Sequence, residues 1–111
     1  HDSVSNSYGC ADEYGNNLTD FINDLRSDLG LENLPIILMQ ILRNISGTKY
    51  TSKVIDGQNE VAQTVKNVKI VDTSLDGSPP LSMGDAHFSS EGMLKLGYEE
   101  ARLAYEFKDA I

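Results

Sequence analysis

The chain has 111 residues, of which 40% are hydrophobic, enough to build the core of one compact domain but not of two. It carries 9 lysines and arginines against 17 aspartates and glutamates, and the resulting net charge of −8 makes nucleic acid and anionic membrane surfaces poor partners. The longest apolar run, from Leu34 to Leu42, is interrupted by Pro35 and Gln40 and is much too short for a membrane-spanning helix.

The first half of the chain predicts a helix followed by a strand. Apolar residues between Tyr14 and Leu29 recur at three- and four-residue steps, which predicts an amphipathic helix that ends at Gly30 in a left-handed backbone conformation. The continuous apolar run from Leu34 to Met39 then predicts a strand of a parallel sheet, covered on both faces.

The second half of the chain repeats this alternation. Helical spacing returns from Thr51 to Val65, and the sequence Val-Lys-Ile-Val at 68–71 predicts a second short strand, so that the pattern is βαβ. A last helix is predicted from Ser89 or Ser90, either of which can act as its N-cap, to about Phe107. The apolar residues that give this helix its spacing are Leu94, Gly97, Tyr98, Ala101 and Tyr105.

The predicted fold class is therefore α/β, but it has fewer strands than an open α/β sheet, which has about five. Because a strand should lead into the first helix, we expect His1 to lie at the C-terminal end of a strand whose body precedes it. The segments that follow strands, 1–13, 41–50 and 73–88, should meet at the carboxyl edge of the sheet, where ligands bind in such folds. Segment 73–88 is longer than a usual connection and is therefore a functional candidate.

Asp85 and His87 are the pair in that segment that can do chemistry. Residues two apart in an extended segment point to the same side, so the carboxylate can fix the tautomer of the imidazole, as in the base half of a serine hydrolase triad. The structural alternative is that Asp85 shapes a turn and His87 packs beside the last helix.

The remaining motifs concern the cellular compartment. Cys10 is the only cysteine, so an internal disulfide is excluded, and the absence of a cluster of cysteines and histidines predicts that the chain has no metal site. Asn17-Leu18-Thr19 and Asn44-Ile45-Ser46 are acceptor sequences for N-glycosylation and favour a secreted or extracellular protein.

A series of residues in a specific order and spacing runs through nearly the whole chain: Tyr14, Asn17-Leu18, Phe21-Ile22, Asp24-Leu25-Arg26, Asp28-Leu29-Gly30, Leu34-Pro35-Ile36-Ile37, Gln40, Gln58, Val61, Asn67-Val68, Val71-Asp72-Thr73, Asp85, His87-Phe88-Ser89, Gly92 and Leu96-Gly97. This series resembles the C-terminal half of the sialate O-acetylesterase-like carbohydrate esterases of the SGNH (GDSL-type) hydrolase superfamily. The resemblance implies a three-layer α/β/α fold with a parallel sheet, in which residues 1–111 form the C-terminal part of a single domain. The reaction that it implies is the hydrolysis of an acetyl ester on a carbohydrate, without a metal or an organic cofactor.

The resemblance also implies roles for particular residues. His87 corresponds to the general base and Asp85 to its orienting acid, although the commoner superfamily spacing leaves two residues between them rather than one. The family's middle block, His-Gln-Gly-Glu-Ser followed by Asp or Asn, corresponds to the segment at residues 1–7, so Asp2, Ser3 and Ser5 fall in the substrate and oxyanion region. Asp2, Ser3 and Val4 depart from the family there, and an aspartate repels a developing oxyanion instead of donating a hydrogen bond to it.

The nucleophilic serine of the family lies in a Gly-Gln-Ser-Asn block, which this chain lacks. Ser5-Asn6 resembles that block superficially, but the residues after it match those that follow the middle block. We therefore expect a missing N-terminal half, or a partner chain, to supply the serine. The alternative is a non-catalytic structural or carbohydrate-binding homologue that assembles with itself or with a partner chain through its open strand edge and apolar face.

Overall fold

The computed structural model describes residues 10–42, 50–73 and 87–109. Within these ranges the elements in chain order are α1 (Cys10–Leu29), β1 (Ile36–Met39), α2 (Thr51–Thr64), β2 (Val68–Val71) and α3 (Ser90–Glu106). The predicted α/β class is confirmed at the level of three helices and a two-stranded parallel sheet.

Helix α1 begins four residues earlier than its apolar spacing predicts. Ala11 is buried, and Asp12 and Glu13 lie in the first turn, where negative side chains interact favourably with the helix dipole. The helix ends as predicted at Gly30, whose φ of +66° is left-handed. Among the described residues, no helix is long and apolar enough to cross a membrane.

Strands β1 and β2 form the parallel pair that the βαβ pattern predicts. Ile36 is opposite Val68 and Met39 is opposite Val71, and α2 connects the two strands. Strand β1 is two residues shorter than predicted, because Leu34 and Pro35 precede it in irregular backbone. The predicted bounds of β2 are confirmed.

The two faces of the sheet contact different helices. Ile36 and Leu38 pack against α1 and α2 in a cluster with Ile22 and Val61. The alternate residues, Ile37 and Met39, pack in a second cluster that contains Leu96 and Leu103 of α3. Side chains alternate between the two faces of β1, and helices contact both faces. Consecutive positions along the strand are therefore apolar.

Helix α3 has the predicted limits, and Ser89 is its N-cap, with Oγ accepting a hydrogen bond from the backbone N–H of Gly92 at 2.9 Å. The side chains whose spacing predicts the helix do not, however, form its buried face. Leu94, Tyr98 and Tyr105 are exposed. The buried residues at this end of the chain are Gly92, Leu96, Leu103 and Phe107.

Arg26 fixes the amino ends of the two strands. Its guanidinium is almost fully buried and donates hydrogen bonds to the carbonyl oxygens of Leu34, at 2.7 Å, and of Lys66, at 2.8 Å. These carbonyls precede β1 and β2, respectively. A buried cation that is satisfied by backbone oxygens therefore connects the end of α1 to the entry of both strands.

Helices α1 and α2 approach each other most closely at Gly15 and Gly57. A Cβ atom at position 57 would lie 3.0 Å from the backbone nitrogen of Gly15 and 3.2 Å from Cδ1 of Tyr14. The neighbouring atom is backbone and cannot rotate away, so only glycine at position 57 allows the helices to pack this closely.

We therefore predict that Gly57→Ala destabilises the chain by about 1–3 kcal/mol, because the added methyl group forces the two helices apart. Gly97→Ala in α3 is the matched control: nothing lies within 4 Å of the added Cβ, and the change should stabilise the helix by about 0.5–1 kcal/mol. The free energy of unfolding is measured by urea denaturation. Equal stabilities of the two variants would contradict the proposed close contact.

Candidate active site

The carboxyl ends of β1 and β2 lie at one edge of the sheet because the strands are parallel. Gln40 directly follows β1 and is only 2% exposed. Its amide nitrogen Nε2 donates a hydrogen bond to Oδ1 of Asn59 on α2 at 2.9 Å. The side chain therefore connects the end of β1 to the helix that crosses over to β2.

The carbonyl oxygen of the Gln40 side chain faces the chain beyond β2. Its Oε1 atom accepts a hydrogen bond from the backbone N–H of Thr73 at 3.4 Å and lies 3.3 Å from the Thr73 hydroxyl. That hydroxyl in turn donates to the carbonyl oxygen of Ile41 at 3.0 Å. The chain segments leaving the two strands are thus fastened to each other.

Gln58 completes this network from α2. Its Oε1 atom accepts from the backbone N–H of Ile41 at 3.0 Å, and its Nε2 atom donates to the carbonyl of Met39 at 3.2 Å. The hydroxyl of Tyr14 on α1 also hydrogen-bonds to Gln58. Burial raises the pKa of Tyr14, and the hydrogen bond to Gln58 offsets part of that increase, so the phenol stays protonated at neutral pH.

Phe88 brings the chain before α3 to the same edge. Its half-buried ring packs against the cluster of Leu42, Val71, Leu96 and Leu103, in which Leu42 lies just beyond β1 and Val71 is the last residue of β2. His87 therefore lies at the carboxyl edge of the sheet, and it is exposed there. This is the rim at which ligands bind in parallel α/β sheets.

The structure describes only part of the predicted site. Asp85, the substrate-region residues Asp2, Ser3 and Ser5, and the sequon residue Asn44 lie outside the described residues, so the roles predicted for them stay predictions. Asn17 lies on α1 and is exposed. In the described ranges, no three histidine, cysteine, aspartate or glutamate side chains form a group that could hold a metal ion.

The buried amides were not identified as site residues from the sequence. Gln40 interrupts an apolar run, Gln58 fits the helical spacing of α2, and both belong to the series that resembles the family, but the sequence assigns neither of them a role. A glutamine in a run that predicts a buried strand is the available signal, because a buried amide needs hydrogen-bonding partners. The partners themselves, Asn59 and Thr73, are distant in sequence and become visible only in the fold.

Residues 2–106 match the family "carbohydrate esterase, sialic acid-specific acetylesterase". The chain belongs to this carbohydrate esterase family. It is 36% identical over 92 residues to a probable carbohydrate esterase of Arabidopsis thaliana, At4g34215, a match that covers 83% of this chain and 32% of the relative. The resemblance to the sialate O-acetylesterase-like enzymes is thereby confirmed.

A crystal structure of the Arabidopsis thaliana protein AT4G34215 superposes on 96% of the chain with a TM-score of 0.73 and 33% sequence identity. The chain covers 41% of that solved structure. The chain thus spans less than half of the length of this relative, and its structure is similar to the part of the relative that it matches.

We predict that Gln40→Leu destabilises the chain by about 1–3 kcal/mol, because the Thr73 N–H and the Asn59 side chain lose a buried hydrogen-bonding partner. Gln63→Leu on the exposed surface of α2 makes the same chemical change and should alter stability by no more than about 0.5 kcal/mol. Urea denaturation of both variants is the measurement. A Gln40 variant as stable as the Gln63 variant would show that the network is dispensable.

Proposed function

We propose that the chain supplies the His/Asp part of the active site of a serine-type carbohydrate O-acetylesterase, an SGNH hydrolase with a three-layer α/β/α sandwich. The observation that carries the proposal is that Phe88, the residue next to His87, packs against the cluster that contains Leu42 and Val71 at the carboxyl ends of the strands. Membership of the carbohydrate esterase family supports the same chemistry.

In the proposed reaction, His87 is the general base. It takes the proton of a serine hydroxyl as the serine oxygen attacks the acetyl carbonyl carbon, and it gives that proton to the departing sugar oxygen, which leaves an acetylated serine. A water molecule, deprotonated by the same imidazole, then attacks the acyl carbon, and the imidazolium returns this proton to the serine oxygen as the acyl–serine bond breaks and acetate is released. Asp85 holds the imidazole in the tautomer that this cycle requires.

The substrate in this proposal is an acetylated carbohydrate, bound in a region that includes Asp2, Ser3 and Ser5. The nucleophilic serine comes from a part of the protein outside these 111 residues or from a partner chain. The sequons at Asn17 and Asn44 accord with a secreted or extracellular glycoprotein.

A second function, a non-catalytic homologue that binds carbohydrate or has a structural role, is favoured by one feature of the sequence. Asp2 and Val4 occupy positions where the resemblance leads us to expect glutamine and glutamate. Valine cannot accept a hydrogen bond, and the carboxylate of Asp2 repels an oxyanion. A homologue with these changes can keep the binding surface while losing the reaction.

A fusion protein tests the catalytic proposal. The N-terminal part of the Arabidopsis esterase, up to the start of its matched segment, is joined to His1, and the hydrolysis of a chromogenic acetyl ester is measured. We predict that His87→Ala lowers kcat/KM by about 10²–10⁴-fold, because the serine loses its proton acceptor.

Asn23→Ala, an exposed change on α1, is the control and should leave kcat/KM unchanged. A serine-reactive phosphonate should label the fusion protein and lose most of its rate of labelling in the His87 variant. A fusion protein that folds, cleaves no acetyl ester and is not labelled by the phosphonate would favour the non-catalytic function. Activity that survives His87→Ala would remove this histidine from the mechanism.

A further inference from the structure

Helix α3 carries an exposed apolar groove on the side that faces away from the sheet. The groove has a volume of about 530 Å³ and is lined by Ser90, Met93, Leu94, Gly97, Tyr98 and Ala101. Met93, Leu94 and Tyr98 are 64%, 68% and 78% exposed, respectively, which is unusual for three large apolar side chains on adjacent turns of one helix. We call these six residues the outer groove.

The outer groove lies opposite the buried side of the same helix. At about 100° per residue, Leu94 and Ala101 project roughly 160–180° away from Gly92 and Leu103, which face the sheet. One flank between the two sides is charged and consists of Glu91, Lys95, Glu99, Arg102 and Glu106, whereas the other flank contains Met93, Glu100 and Ala104. A helix on the surface of a soluble protein normally has one apolar stripe, which faces the core, whereas α3 also carries apolar side chains on the opposite side.

The edge of β1 is a second surface that another polypeptide can cover. The described residues contain two strands, so the edge of β1 that faces away from β2 has no strand beside it. The backbone N–H groups of Ile36 and Gln40 donate towards β2, and because successive N–H groups alternate between the edges of a strand, those of Ile37 and Met39 face the open edge. This edge offers hydrogen bonds to another strand.

A second copy of the chain and a different polypeptide are the external occupants that could cover the outer groove. The net charge of −8 opposes the association of two copies. The solved Arabidopsis relative, by contrast, matches 96% of this chain while more than half of its own length has no counterpart here. That unmatched part is long enough to supply both an apolar layer and further strands.

We propose that the outer groove of α3 packs against the part of the esterase domain that has no counterpart in these 111 residues. This proposal rests on the proposed function in one respect, which is that the partner surface belongs to the rest of an esterase domain. The residues that carry the contact are Leu94 and Tyr98, with Gly97 between them allowing a close approach because it presents no side chain.

The fusion protein with the N-terminal part of the Arabidopsis esterase tests the contact without any substrate. Leu94→Gln/Tyr98→Gln replaces two groove residues, and Glu91→Gln/Lys95→Gln makes a matched double change on the charged flank with the net charge preserved. We expect the groove variant to raise the unfolding equilibrium constant of the fusion protein roughly tenfold or more, because two large apolar side chains lose their burial. The flank variant should leave that constant within about twofold of the original protein.

The 111-residue chain is measured in the same way and by sedimentation. There, both variants should have similar stability, because the groove is exposed in the chain alone. Equal stability of the two variants in the fusion protein overturns the proposal, and so does a stable dimer of the 111-residue chain that Leu94→Gln/Tyr98→Gln dissociates. A fusion protein that shows the groove effect but no esterase activity upholds this inference and rejects the proposed function.

Discussion

The buried side-chain amide of Gln40 is the interaction on which the functional edge of this protein depends. It lies where β1 ends, binds Asn59 of α2 on one side and Thr73 on the other, and leaves almost no surface for water. In such a dry site, a polar group is tolerated only if its partners are fixed, so the amide holds the backbone on both sides in one arrangement. The segments that carry the predicted chemistry therefore depart from a rigid base, which is what a catalytic loop requires to present its side chains reproducibly.

A two-stranded sheet is marginal on its own, and this protein stabilises it from both ends and both faces. Arg26 holds the amino ends of the strands through backbone carbonyls, while Gln40 and Gln58 hold the carboxyl ends. Helices cover the faces, and Lys69 of β2 pairs with Glu106 of α3, an interaction that lowers the pKa of this glutamate. This pair is exposed, so its net contribution is small compared with that of the buried contacts.

The sequence predicts the order and type of the elements well because apolar periodicity and turn residues are local signals. The left-handed Gly30, the N-cap Ser89 and the four residues of β2 were all predictable in this way. The buried face of α3 was not, because the helix has two apolar sides and periodicity cannot say which one meets the sheet. At the site, the pair of Asp85 and His87 identifies His87 from the sequence. The hydrogen-bond network around Gln40 joins residues from three separate segments, and no local sequence pattern predicts such partners.

Parallel pairing of β1 and β2 also sets the order in which the fold can assemble. A parallel neighbour cannot be reached by a tight hairpin, so every residue pair in the ladder closes a loop that contains the whole of α2. Closing that loop costs conformational entropy. The contacts between the apolar side of helical α2 and the strands offset this cost. The close contact of Gly57 with α1 places the first helix against the same βαβ unit, whereas α3 contacts the sheet from its other face.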